Sequence, residues 1–237
     1  MAFLTIRHAT LALLLVLMAP APAPAQQLSP HRKLQAQQLL RTRLACLGCH
    51  TLDGVGGRVG PDLSAVGRRR SPEYIRSMIV DPQSRVPGTI MPRFVLPAGT
   101  LDLIVQYLAE ARAASDSQVT LIVRPTAPAN ASASERLYVE RCAMCHGVRG
   151  KSDGSNATYV GAPVTRHADK RAMSARTDDR IYDAIHAGGY IMGGSGRMPP
   201  FGHTLTPDQI RGLVRYIRRL CDCEGPAWSR DGTRTTP

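Results

Sequence analysis

A chain of 237 residues allows one or two domains. Aromatic residues make up only 5%, with three Phe and the single Trp228, so two small domains of this composition need a disulfide, metal or cofactor for support. The formal charge is +12, and 27 of the 30 basic residues are Arg; with no aromatics interleaved among them, an acidic protein surface fits better than nucleic acid as the partner.

The N-terminus carries Arg7, an apolar run over residues 11–18 and the small-residue ending Ala23-Pro24-Ala25. This reads as a secretory signal peptide, residues 1–25, and predicts a periplasmic protein. The run is too short to cross a hydrocarbon core of ~30 Å, and nothing later is apolar enough, so no stable membrane span is expected.

Residues 26–112 then read as one unit. Ser29-Pro30 opens a helix that leads towards Cys46-Leu-Gly-Cys-His50. A glycine-rich loop follows. Ser71-Pro72-Glu73 opens a second helix, which Asp81-Pro82 stops. Residues 86–99 are expected as loop, and Thr100 as the cap of a third helix with Leu101, Ile104, Val105 and Leu108 on one face. Residues 113–131, rich in Ala, Ser and Pro, read as an extended connector.

Residues 132–220 repeat the plan. Ser132 and Glu135 have capping-box spacing before a helix that runs into Cys142-Ala-Met-Cys-His146. Thr177 opens the next helix and Gly188 ends it. Thr206-Pro207-Asp208 opens the last, with Ile210, Leu213, Val214 and Ile217 at i, i+3, i+4, i+7. Met91-Pro-Arg-Phe94 pairs with Met198-Pro-Pro-Phe201, and Tyr107 with Tyr216. The chain is an internal repeat followed by a tail, residues 221–237.

Two cysteines a helical turn apart and a histidine directly after them form the attachment unit of haem c. The thiols of Cys46 and Cys49, and of Cys142 and Cys145, add to the porphyrin vinyl groups, while His50 and His146 supply the proximal imidazoles. Zinc is the alternative use of such pairs, and redox thiols a weaker one, because no βα alternation surrounds them. Met91 and Met198, each in a proline-stiffened loop at matching places, are candidates for the distal ligand; Met192 rivals Met198. The plainer reading of a methionine is a core gap-filler, which suits Met78 and Met144.

With CLGCH, Gly60-Pro-Asp-Leu63 and Ile90-Met-Pro92 in one half, and CAMCHG and Gly196-Arg-Met-Pro199 in the other, each half resembles a class I cytochrome c domain. Together they resemble the tandem dihaem cytochromes c. The resemblance implies a mostly α fold, two helical domains each around a covalent haem. It also implies a proline carbonyl that orients the proximal histidine, for which Pro61 matches well and Pro163 less well. The function implied is one-electron transfer with redox protein partners, between a respiratory dehydrogenase or quinol-oxidising complex and a terminal oxidase or reductase. A dihaem enzyme (peroxidase or sulfur-compound dehydrogenase) and a cytochrome subunit of a larger oxidoreductase are the alternatives.

Other features stand outside this reading. Arg211, Arg215, Arg218 and Arg219 can form a docking stripe. His31, His167, His186 and His203 are expected as ordinary loop or surface histidines. Asn130 and Asn156 head glycosylation sequons. Cys221 and Cys223 remain after the haem cysteines, and a local disulfide clip suits an oxidising compartment.

Overall fold

A computed structural model describes residues 27–113 and 121–229. The expected signal peptide, most of the first part of the connector and residues 230–237 lie outside the described residues.

Capping chemistry sets most helix starts. Ser29 Oγ accepts from the Arg32 amide at the head of α1 (Pro30–Thr42), and Pro30 takes the first position, where its missing N–H costs nothing. The one-turn helix α2 (Cys46–Cys49) follows. The glycine loop then contains a feature not expected from its composition. Strands β1 (Thr51–Leu52) and β2 (Val55–Gly56) pair antiparallel, Leu52 facing Val55, around an Asp53-Gly54 turn with both residues at positive φ. That is the backbone a two-residue hairpin requires, and Asp-Gly is among its favoured pairs. The short α3 (Val66–Arg69) leads to α4 (Pro72–Val80), capped by Ser71, then α5 (Pro82–Arg85).

The helix α6 (Ala98–Ala109) starts two residues before the expected Thr100 cap. The carbonyl of Pro97 accepts from the amides of both Thr100 and Leu101, so the proline supplies the entry without a side-chain cap. Residues 121–128 of the connector hold no regular element, and Ile122 N–H donates to the Arg58 carbonyl.

In the second half, α7 (Ala133–Arg141) is capped by Ser132, whose Oγ accepts from the Glu135 amide; the reciprocal arm expected from Glu135 is not formed. One turn, α8 (Ala143–His146), follows directly. Then come α9 (Lys170–Ser174), α10 (Asp178–Ala187), capped by Thr177 and ended by Gly188 at φ 82°, and α11 (Pro207–Cys221). The complete capping box sits here, between Thr206 and Gln209.

Two hydrophobic clusters result. α6 packs on α1 and α4, burying Leu40, Leu47, Leu52, Ile75, Ile79 and Leu103. α11 packs on α7 and α10, burying Tyr138, Ile181, Ile185, Ile210, Leu213 and Ile217. The protein is mostly helical, and the last helix of each half crosses its first. Tyr216 meets Tyr138 there at 5.0 Å. Cys221 and Cys223 form a disulfide at the end of α11. Arg218 leaves the expected basic stripe: it turns inward, bonding Asp178 and the carbonyls of Met173 and Arg176.

No helix among the described residues is long and apolar enough to cross a membrane.

Candidate haem sites

The turn α8 follows α7 with one residue between, so Cys142 and Cys145 stand on successive parts of one helical turn. Neither is disulfide-bonded. Burial pushes the Cys142 thiol up to about 12 and raises that of Cys145 as well. Neutral, desolvated thiols are the opposite of the electropositive setting that produces reactive thiolates.

His146 ends the turn and is buried. Its Nδ1 lies 2.9 Å from the Thr165 carbonyl, which fixes the ring and leaves the Nε2 lone pair free to ligate a metal. Burial lowers its pKa, favouring the neutral imidazole that ligates a metal. The acceptor differs from the expected Pro163. The longer second loop carries Val164 past the ring, and its carbonyl instead takes the Ser152 hydroxyl, so Thr165 is the residue that presents oxygen to His146.

His167 corrects a second expectation. It is buried rather than a surface histidine, and its ring stacks on His146 with centroids 4.0 Å apart and planes 12° apart. Its Nδ1 pairs with the hydroxyl of the fully buried Tyr138 at 3.0 Å. The core of α7 is thereby joined to the back of the histidine site. His31, His186 and His203 are exposed.

Met198 is partly buried against the second cluster. Its loop is held at both ends: the Met198 carbonyl accepts from Gly189 N–H, and Phe201 N–H donates to the Ile185 carbonyl in the last turn of α10. A side chain on Gly188 or Gly189 would meet this loop, which is why glycine stands at both places. Met192 lies in the preceding turns.

The first half has the same construction. Cys46 and Cys49 lie on α2, without a disulfide, their thiols pushed up by burial to about 11 and about 12. Asn156 Nδ2 reaches both the Gly48 carbonyl in α2 and Cys145 Sγ, so the two cysteine turns lie close together. His50 Nδ1 is 2.8 Å from the Pro61 carbonyl. Burial lowers the His50 pKa, against the raising effect of that bond. Met91 is half-buried; its carbonyl accepts from Gln83 and its amide donates to Thr89. Phe94 N–H donates to the Ile79 carbonyl in the last turn of α4. Each Met-Pro-x-Phe loop is therefore tied at its phenylalanine to the last turn of an earlier helix, α4 or α10.

These residues fit a covalently attached haem. Paired neutral thiols sit on one turn, the adjacent imidazole has one nitrogen tied and one free, and a thioether sits on a fixed loop. Among the described residues no three His, Cys, Asp or Glu side chains gather as a metal-ion site.

Residues 129–217 match the family model described as cytochrome C oxidase, cbb3-type, subunit III. This part of the chain is a cytochrome c domain. A cytochrome c domain carries covalently bound haem c and transfers electrons, which implies redox partners. No curated protein and no solved structure matches the chain. In the cytochrome c domain, the residues that motif reading missed are Thr165, His167 and Asn156. No local spacing marks them; each takes its place through a tertiary contact with the cysteine turn or its histidine.

Proposed function

We propose that the protein is an exported, periplasmic dihaem c-type cytochrome that carries single electrons between a respiratory dehydrogenase or quinol-oxidising complex and a terminal oxidase or reductase. The observation that carries this reading is the duplicated cysteine turn, with each adjacent histidine bonded through Nδ1 to a backbone carbonyl. In this assignment residues 26–112 and 132–220 are the two cytochrome c domains. Cys46, Cys49, Cys142 and Cys145 anchor two haem c groups. His50 and His146 are proximal ligands, and Met91 and Met198 distal ones.

When bound, each haem supplies a one-electron Fe(II)/Fe(III) couple. The chain's own residues tune and protect it. The carbonyls of Pro61 and Thr165 orient the imidazoles and raise their donor strength. The loops tied through Phe94 and Phe201 hold sulfur, a soft ligand that favours the reduced iron. A histidine and a methionine would hold each haem and keep substrate from the metal, so the group would supply one-electron exchange without a bond made or broken. Exposed arginines such as Arg211 and Arg215 suit an acidic docking face on the partner.

Intact mass and the haemochrome spectrum after denaturation test the haem count, with two covalent haems per chain expected. Carbon monoxide added to the reduced protein tests the ligands. Both haems should stay six-coordinate and inert. Rapid uptake at one haem would replace the carrier with a dihaem enzyme, and co-purification of an unrelated oxidoreductase would make the chain a cytochrome subunit.

A further inference from the structure

Asn156 is a polar side chain with no exposure at all, placed between the two cysteine turns. Its Nδ2 donates to the carbonyl of Gly48, 108 residues away inside α2, at 2.8 Å. The same nitrogen lies 3.3 Å from Cys145 Sγ, and Oδ1 accepts the Arg58 N–H at 2.8 Å. Two N–H groups and one oxygen thus each have a partner. The reverse amide orientation would set NH2 against the Arg58 N–H and oxygen against the Gly48 carbonyl, so the network admits one orientation.

The surroundings are shaped for this contact. A Cβ on Gly57 would lie 2.9 Å from both amide heteroatoms of Asn156, so only glycine leaves room. The Arg58 guanidinium covers Tyr159 at 4.1 Å. A side chain on Gly48 would run into the Arg197 carbonyl. Burying a carboxamide is costly unless every polar atom is paired, and an apolar residue would fill space without that cost. What a fully paired amide adds is a single register between the surfaces it joins.

We infer that Asn156 is a positioning residue that bolts the two haem-attachment turns together and fixes the separation and orientation of the two haem sites. This rests on the dihaem reading. It gives the pair one geometry, so that exchange between the sites does not wait on a chance encounter of the halves.

The test compares the holoprotein with Asn156→Asp, which keeps the shape and removes both donors, and with Asn156→Ala. Each lost hydrogen bond should shift the docked arrangement by about fivefold. Electron exchange between the haems after photoreduction should therefore slow, by up to that factor for each bond lost, and the halves should unfold in two transitions where the wild type is expected to show one. Two haems by mass with unchanged exchange and one transition would overturn the inference and leave the dihaem reading standing. One haem by mass would remove the dihaem reading, and the unfolding profile would still decide for or against the bolt. If neither variant folds, the ferrous wild type decides by NMR. Slowly exchanging Asn156 amide protons, with Overhauser contacts to Cys145 and Gly48, support the bolt, and exchange at solvent rates refutes it.

Discussion

Replacing Gly60 with alanine isolates one contact at the first histidine. A Cβ at this position would lie 2.5 Å from His50 Cε1, 2.7 Å from Nδ1 and 3.0 Å from Nε2, where ordinary contacts begin at 3.4 Å. Gly60 is not among the residues at positive φ, so alanine fits the backbone and the conflict is purely with the imidazole. Ring or loop must give by about 1 Å, which takes the 2.8 Å bond to Pro61 beyond the range of a hydrogen bond. Loss of a partner behind a metal-bound imidazole typically lowers metal affinity by about 10–100-fold, or ~1.4–2.8 kcal/mol. On the proposed dihaem assignment, carbon monoxide binding to the reduced variant, followed in the Soret band, should show one haem turned reactive and the other inert. The refuting result is an unchanged spectrum and potential at both haems, with His50 still bonded to Pro61.

Two further outcomes follow from packing. Tyr138→Phe removes the hydroxyl that partners His167 in a fully buried site, and unfolding in guanidinium should report a loss of about 1–3 kcal/mol; a neutral result would mean that another group takes up the imidazole nitrogen. Gly99→Ala, in the first turn of α6 with open space around its Cβ, should raise stability by about 0.4–1 kcal/mol in the same assay and leave both haem spectra untouched.

What the sequence made legible was local. Ser29, Ser71, Thr177 and Thr206 cap their helices through side-chain oxygens, because an N-cap needs only a hydroxyl and the next few amides. The Met-Pro-x-Phe repeat was visible for the same reason. The residues that escaped are defined by distant partners. His167 lies 21 positions past His146 with no periodic relation to it, and its stacking depends on how the second loop folds back. The change from Pro163 to Thr165 follows from loop length, which sets where a carbonyl arrives but leaves no mark on composition. Thr100 failed as a cap because the Pro97 carbonyl had already gathered the amides. Asn156 read as a sequon, and burial between the halves removes it from the surface.

The tight seat of α2 against the second half bears on how the protein is built. With Gly48 lodged under the Arg197 backbone and Gly196 lying on the Thr42 carbonyl, a modifying enzyme has no room to grip the first cysteine turn once the halves have met. On the proposed dihaem assignment, the thioether bonds at Cys46 and Cys49 would therefore have to be made before closure, on open segments. The interface between the halves would then close last, as a seal over the attached group.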